Sequence, residues 1–175
     1  MKQPPRRVGP FRAGAGFREA LGRARDEAFL RHHRQIRPGH ILLGVALISD
    51  ERVDAMLDTL GVARSDVAER AAAALVPAVP AHDGGPDLAY TRRGVHVLNQ
   101  AALLAEQLEW GWLGAAHLLV ALGEEDWGAP RRVMSELGVI PSALRSALAS
   151  AQPVPPAPSD DPPIFWWDFR TAPDA

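Results

Sequence analysis

Four histidines are the first candidates for chemistry in this sequence. His40 and His117 each precede an apolar run, and His32-His33 lies upstream of the first run. An imidazole can act as a general base or bind a metal ion. However, no acidic residue lies one or two turns along either apolar run, and neither a cysteine nor a helix-spaced acid accompanies His32-His33. We therefore predict that His40 and His117 are buried structural residues, that His32-His33 is a surface pair, and that no metal is bound.

Other signatures of catalysis or nucleotide binding are also missing from the sequence. Lys2 is the only lysine among 19 basic residues, and no P-loop precedes it. Gly14-Ala15-Gly16 resembles a phosphate loop, but no predicted strand leads into it. A Gly-x-Ser-x-Gly motif is absent, although a Ser/His/Asp triad is assembled in space and stays open as a minor alternative. We predict a protein that is not an enzyme and uses neither ATP nor a cofactor.

Composition and charge narrow the class further. The chain has 175 residues, of which 47% are hydrophobic and 23% charged, with a formal net charge of -2. These values are typical of a globular protein and give no global attraction to nucleic acid or to an anionic membrane. The apolar run from Ile41 to Ile48 is too short to span a bilayer, and prolines interrupt the basic N-terminus where a signal peptide would be apolar. With no cysteine for disulfides, we expect a cytoplasmic protein.

The sequence repeats itself with an offset of 77 residues. The stretch "RPGHILLGVAL" from Arg37 corresponds to "GAAHLLVALGE" from Gly114, and "LGVARS" from Leu60 corresponds to "LGVIPS" from Leu137. The alignment needs no gap and also superimposes the two histidines that precede the apolar runs. Such self-similarity indicates a duplicated structural unit.

Each copy has the pattern of four helices. Apolar residues recur every three or four positions in the first helix, and the run after each histidine is apolar on all sides, which predicts a buried helix. Pro38 suits the first turn of that buried helix. The third helix is predicted over 52–60 and 131–137, with Gly61 and Gly138 at the left-handed position after it.

Ser65 and Ser142 are predicted to cap the last helix of each copy. A repeat of about 60 residues buries little apolar surface alone, so the two copies should share one core. We predict an all-α fold with eight helices and pseudo-two-fold symmetry. Its parts are a disordered arm at 1–13, a double-repeat domain at 14–151 (repeats 14–76 and 89–151, linker 77–88), and a Pro-rich spacer with an aromatic tail at 152–175.

The doubled four-helix unit, with His before an Ile/Leu-Leu-Leu/Val run and a later Leu-Gly-Val, resembles the Clp N-terminal repeat domain. The resemblance covers about residues 17 to 150. That domain lies at the front of AAA+ unfoldases of the ClpA and ClpC type. The resemblance implies that the chain binds substrates, adaptors or peptides in place of catalysing a reaction. Since the sequence holds no P-loop, we expect a free-standing recognition domain without ATPase modules.

The resemblance also marks two positions where this chain departs from the ClpC pattern. ClpC repeats carry Gly-Thr-Glu-His before the buried run, and that Glu contacts the guanidinium of phosphoarginine. Here the Glu is replaced by Gly39 in the first copy and by Ala116 in the second. A carboxylate is the natural bidentate partner of a guanidinium, so we expect phosphoarginine recognition by this route to be lost in both copies.

A second surface implied by the resemblance lies in the stretch "AYTRRGVHVLN". In actinobacterial ClpC domains this surface binds cyclic-peptide antibiotics, and an aromatic residue before Thr is a main contact. Tyr90, Thr91, Arg92, Val95 and Asn99 occupy it here. They are predicted to bind a peptide or partner, with Thr91 as a helix cap. The alternative is that Tyr90 only packs at the start of the helix.

Aromatic residues supply two further features. Trp110, Trp112 and Trp127 are expected either to fill the groove between the copies or to form a sticky surface. The tail "IFWWDFR" follows a proline-rich spacer and contains four aromatics, which are Phe165, Trp166, Trp167 and Phe169. Because aromatics are seldom left in water, we expect the tail to dock, either on this domain or on a partner.

Together these features predict a non-catalytic binding protein. It would act as adaptor, competitor or decoy around a Clp protease, with Clp subunits, adaptors, peptides or a cyclic-peptide antibiotic as partners. The alternative is a peptide- or small-molecule-binding module unrelated to proteolysis, whose aromatic tail recruits a partner.

Overall fold

A computed structural model describes residues 12–78 and 88–151, together with Pro153 and Pro163. In these residues the predicted all-α fold of eight helices is confirmed, and four two-residue strands that the sequence did not predict are added. The elements of the first repeat are β1 (Arg12–Ala13), α1 (Ala15–Leu30), β2 (Gln35–Ile36), α2 (Pro38–Leu47), α3 (Glu51–Thr59) and α4 (Arg64–Ala74). Those of the second are β3 (Ala89–Tyr90), α5 (Arg92–Gln107), β4 (Trp112–Leu113), α6 (Ala115–Gly123), α7 (Gly128–Glu136) and α8 (Pro141–Ser150).

The 77-residue offset found in the sequence holds for every element of the structure. Each helix and strand of the second repeat begins 77 positions after its counterpart in the first. The backbone follows the same rule at four of the five positive-φ positions in the described residues; the exception is Gly128, with φ of 83°, whose counterpart Glu51 has no positive φ. Gly61 and Gly138 have φ of 68° and 67°, and His32 and Glu109 both have φ of 57°. The duplication therefore extends to single left-handed residues after the helices, as predicted for the two glycines.

The strands tie the two repeats to each other. β1 pairs in parallel with β4, and β2 pairs in parallel with β3, so each small sheet takes one strand from each repeat. Arg12 lies opposite Trp112 in the first sheet and Gln35 lies opposite Ala89 in the second. Because β3 is the counterpart of β1 and β4 is the counterpart of β2, the two pairings are related by the pseudo-two-fold symmetry that was predicted.

The core lies around the two apolar helices. All residues of α6 and nearly all of α2 are buried, and the two helices contact each other across the repeats. α1 covers α2 and α5 covers α6, while α3 packs on α8 and α4 on α7. Both repeats therefore contribute to one core. No helix in the described part of the chain is both long and apolar enough to cross a bilayer.

Some predicted helix ends are confirmed and others are wrong. Thr91 caps α5, since its hydroxyl accepts the backbone N–H of Gly94 at 3.0 Å, and Pro38 lies in the first turn of α2. Ser65 and Ser142 are not caps, because each helix begins one residue before the serine. α4 begins at Arg64, whose guanidinium donates a hydrogen bond to the carbonyl oxygen of Ile48 and so stabilises this first residue of the helix.

In α8 the earlier start has Pro141 in the first position, where its fixed φ suits a helix. The third helices also begin before the predicted residues, at Glu51 and Gly128. Asp50 caps α3 by accepting the N–H groups of Arg52 and Val53, both at 3.1 Å.

The close contact between α1 and α2 yields a stability test. A methyl group on Gly44 would collide with the backbone carbonyl of Ala20, whereas one on Gly22 would meet nothing within 4 Å. We expect Gly44→Ala to lower the free energy of unfolding by about 2–3 kcal/mol, because a backbone must shift. Gly22→Ala, the control in α1, should raise it by up to about 1 kcal/mol through helix propensity. Denaturant unfolding measures both, and equal effects would contradict this packing of α1 on α2.

Candidate functional site

An open cavity of about 690 Å³ lies where the two repeats meet. Four segments form it: the start of α2, the end of α4, the start of α5 and the connection from α6 to α7. The lining residues that determine its charge, shape and apolar surface are Arg37, Gly39, Leu75, Arg92, Arg93 and Trp127. The pairing of β2 with β3 brings the starts of α2 and α5 together, although they are distant in sequence.

One wall of the cavity is a stacked aromatic platform. The guanidinium carbon of Arg93 lies 3.4 Å from the ring centroid of Trp127, whose side chain is 55% exposed. Nη1 of Arg93 also donates to Oε2 of Glu125 at 3.0 Å. Because Glu125 is only 6% exposed, this pairing gives a buried carboxylate a charged partner, and Nε2 of His96 lies 4.0 Å from its other oxygen. The indole is thus held in place with one face against a cation.

The cavity combines positive charge with an apolar floor. Arg37, Arg92 and Arg93 line it, and among its described lining residues Glu125 contributes the carboxylate that Arg93 engages. Leu75 and neighbouring alanine and proline side chains supply the apolar part. Guanidinium groups bind carboxylates through paired, charge-assisted hydrogen bonds. Such a lining suits a ligand with an acidic group next to an apolar one.

Several of the residues singled out in the sequence lie at this cavity. Pro38, Gly39, Thr91, Arg92 and Trp127 all line it, although they come from different repeats. A Cβ on Gly39 would lie 3.0 Å from both the Cβ of Ala129 and the Cδ2 of Leu75, so the absence of a side chain there keeps the cavity open. Ala116, the corresponding position of the second repeat, is buried inside α6 and lines no part of the cavity.

The other predicted contacts lie apart from the cavity. Tyr90 pairs with Ile36 in the small sheet and packs half-buried against the core. Burial raises the pKa of Tyr90 to about 12, and the charge of Arg25 opposes that shift. Val95 and Asn99 are half-buried on α5 but do not line the cavity. Phe165, Trp166, Trp167 and Phe169 of the tail lie outside the described residues.

The symmetry-related position in the other half is closed by aromatic side chains. Trp112 is the counterpart of Gln35 at the 77-residue offset. A Cβ on Gly114 would lie only 2.6 Å from the ring of Trp112. The guanidinium carbon of Arg52 lies 4.6 Å from the Trp110 ring centroid and 5.5 Å from that of Trp112. Of the two alternatives left open for the tryptophans, Trp110 and Trp112 thus fill a groove between the copies, whereas Trp127 is exposed. In the described residues, the two symmetry-related positions therefore differ: one is an open cavity and the other is filled by aromatic rings.

A carboxylate occupies the region of Gly14-Ala15-Gly16. The two-residue strand β1 does precede this stretch, contrary to the expectation from the sequence. Even so, a Cβ on Gly16 would lie 2.5 Å from Oδ2 of Asp50. The carboxylate that caps α3 thus also lies at the start of α1, where a bound phosphate would be repelled.

The histidines form buried hydrogen bonds at the starts of α2 and α6. Nδ1 of His40 accepts the N–H of Arg37 at 2.9 Å, and Nδ1 of His117 accepts the N–H of Gly114 at 3.0 Å. With Nδ1 an acceptor, the proton of each neutral ring lies on Nε2. His40 then donates to Nδ1 of His33 at 2.7 Å.

The prediction that His32-His33 is a surface pair is wrong for His33. Only His32 is exposed; His33 is buried, and its Nε2 donates to the carbonyl oxygen of Val76 at 2.8 Å. His33 turns inward because Nε2–H of His40 needs an acceptor. The sequence contained a signal for this: the 77-residue offset places His33 on Trp110, a residue type that is usually buried.

In the second repeat, an aromatic ring lies where the first repeat has a hydrogen-bond acceptor for the histidine Nε2–H. Nε2 of His117 has no hydrogen-bond partner among the described residues. The ring of Trp110 lies 4.8 Å from the His117 ring, centroid to centroid, at an interplanar angle of 89°. This perpendicular arrangement directs one ring edge at the face of the other, as in an N–H to π contact.

Both histidines should make the fold sensitive to acid. Burial lowers the pKa of His40 to about 3, with smaller contributions from His33, Arg37 and Arg31. Burial likewise lowers the pKa of His117 to about 4; Arg52 adds to the effect and the bond to Gly114 opposes it. Because the unfolded rings titrate near 6.5, the unfolded state binds protons first as the pH falls, and stability is lost from about pH 6.5 down to about pH 4 for His117 and about pH 3 for His40.

We expect each of these two histidines to remove about 2 kcal/mol of stability between pH 7 and pH 5. Denaturant unfolding at both pH values measures the loss, and His117→Gln should reduce it by about half. His32→Gln, which changes an exposed ring, is the control and should leave the loss unaltered. A pH dependence that is the same in all three proteins would contradict the role given to burial.

Comparison with known proteins identifies the family. The family described as the Clp repeat (R) N-terminal domain matches residues 15–137. The chain belongs to this family. In Clp unfoldases this domain binds substrates and adaptors and is not itself catalytic. No curated protein matches the sequence.

Several solved structures, including the N-terminal domains of Hsp104 and ClpD, have the same fold. The Hsp104 N-terminal domain from Candida albicans is similar with a TM-score of 0.68 and 16% identity, over 85% of this chain and 97% of that one. A structure from a study of a malarial protein secretion system gives 0.68 and 19%, over 80% and 92%. The N-terminal domain of the chaperone ClpD from Arabidopsis thaliana gives 0.59 and 18%, over 78% and 94%.

Proposed function

We propose that this chain is a non-catalytic peptide-binding domain that serves a Clp protease as adaptor, as competitor for adaptors, or as decoy. The observation that carries the proposal is the arginine-lined open cavity at the starts of α2 and α5, in a family whose domains bind substrates and adaptors. Its ligand is an extended peptide segment, with no cofactor, ATP or nucleic acid involved. In the cytoplasm, such a segment would come from a Clp subunit, an adaptor or a protein directed to degradation.

The lining of the cavity supports an acidic peptide as the ligand. Arg37 and Arg92 take the carboxylate, and the Trp127 platform with Leu75 takes the adjacent apolar side chain. A guanidinium ligand such as phosphoarginine would approach this cluster of arginines without the two glutamates that Gly39 and Ala116 replace. Loss of the phosphoarginine route is therefore part of the proposal.

The departure at Gly39 also favours a second candidate, a binding module unrelated to proteolysis. The charge of the cavity is the same under either candidate, so only the partner differs.

For the decoy role, a cyclic peptide that binds ClpC should bind this chain at micromolar concentration through Tyr90, Val95 and Asn99. Isothermal titration tests that role, and an absence of heat at this concentration removes it.

Peptide selection tests the charge preference. From a displayed random-peptide library, the full chain should enrich sequences with Asp or Glu beside an aromatic or aliphatic residue. Arg37→Glu with Arg92→Glu should abolish this enrichment, because the charge of the cavity is reversed. Arg23→Glu, an exposed charge reversal on α1 away from the cavity, is the control. Enrichment of basic peptides by the unaltered chain would contradict the proposal.

Capture from the native cytosol separates the two candidates. We expect the full chain and Arg23→Glu to recover Clp subunits or adaptors, and the variant with both Arg37→Glu and Arg92→Glu to lose them. Cavity-dependent recovery of proteins other than these would support the second candidate. Recovery that is identical with all three baits would overturn both.

A further inference from the structure

A second groove lies between α3 and α8. Its volume is about 590 Å³, and small or apolar side chains line most of it, including Ala55, Met56, Ala143, Ser146 and Ala147. Ala151, the residue that follows α8, also lines it. The groove is apart from the cavity proposed to bind peptides, so a role for the groove does not rest on the proposed function.

The symmetry-related groove between α4 and α7 shows that this apolar lining is not required by the fold. That groove, of about 540 Å³, contains Asp66, Glu69, Arg70, Arg132 and Glu136, and Arg70 pairs with Glu136 at 3.1 Å.

The 77-residue offset aligns those five charged residues with uncharged ones in the α3–α8 groove. Their counterparts are Ala143, Ser146, Ala147, Ala55 and Thr59, respectively. Two equivalent helix pairs thus present a solvated surface in one half and a weakly polar, small-residue groove in the other. The second kind of surface is typical of one that another segment covers.

We propose that the aromatic tail of this chain, residues 164–170, docks in the α3–α8 groove of the same molecule. The described helices end at Ser150, and the chain leaves them at the groove itself, through Ala151. Residues 152–163 reach about 37 Å if extended at about 3.1 Å per residue. α3 has nine residues and is only about 14 Å long at about 1.5 Å per residue, so the spacer is sufficient.

The chemistry of tail and groove is complementary. Small side chains leave room for the rings of Trp166 and Trp167, which bury large apolar areas when they dock. Arg52 lines the groove while its guanidinium rests on Trp110 and Trp112, and the tail carries Asp168 between its aromatics. A tail tethered at the groove has an effective concentration near the millimolar range, which favours it over a separate molecule at micromolar concentration.

Tryptic cleavage at Arg170 provides the measurement, since it is the only basic residue after Arg145. Docking slows this cleavage because the protease acts on the undocked population. The groove variant combines Ala143→Asp with Ser146→Glu, which copies the charges of α4. Its matched control combines Ser142→Asp with Ala149→Glu, which adds the same charge to exposed positions of α8 outside the groove.

We expect the groove variant to release Thr171–Ala175 about tenfold faster than the unaltered full chain, and the control at an unchanged rate. A tail variant with Trp166→Ala and Trp167→Ala should match the groove variant, after normalisation to the free tail peptide of each sequence. Combining the groove and tail variants should add no further acceleration.

Three outcomes would overturn the proposal. Equal rates in all full-length proteins mean that the tail does not dock. Acceleration by the tail variant alone means that it docks elsewhere than in this groove. A cleavage rate of the unaltered chain that falls with protein concentration means docking on a second copy. Circular dichroism of the groove variant confirms that it is folded before its rate is compared.

Discussion

The structure depends on the burial of two helices that have no polar side. α2 and α6 are apolar around their whole circumference, and the helices of a single repeat cover only part of each: α1 and α4 pack on α2, and α5, α7 and α8 pack on α6. The remaining cover comes from the other repeat, through the contact of α2 with α6 and through α7 and α3. Because the hydrophobic effect scales with buried area, neither repeat can bury its central helix alone. The cross-repeat strands and the inter-repeat cavity are consequences of this mutual burial.

Burial of these helices also explains the histidines. A helix start leaves backbone N–H groups without partners, and in α2 and α6 the preceding residues, Arg37 and Gly114, have no side-chain acceptor for them. His40 and His117 supply the acceptor from within the first turn. Their outer Nε2–H groups then need something to face, and positions 33 and 110 provide a ring nitrogen in one repeat and an indole in the other. The need of each buried Nε2–H group for a partner thus explains the type of residue found seven positions before each histidine.

Much of the fold was predictable because the sequence contains two copies of the same four-helix pattern. The gapless offset predicted eight helices, and Gly61, Gly138 and Thr91 predicted helix ends through local backbone chemistry that needs no tertiary context. Strands of two residues are too short to show an alternating pattern, so they could not be predicted. The cavity was missed for a similar reason: Gly39 and Arg92 meet only through pairing of Ile36 with Tyr90. The resemblance to ClpC marked single positions but could not show which of them share a surface.

Duplication constrains the interior of this fold far more than its surface. Core positions of the two halves carry similar apolar residues because they fill one shared volume. The surface pairs diverge: the inter-repeat site keeps Arg37 and Gln35 in one half and has Gly114 and Trp112 in the other. A fold built on two-fold symmetry would otherwise present two equivalent surfaces at these positions. An indole fills one position and arginines line the other, so the two differ in shape and charge while both halves keep the apolar residues that their shared core requires.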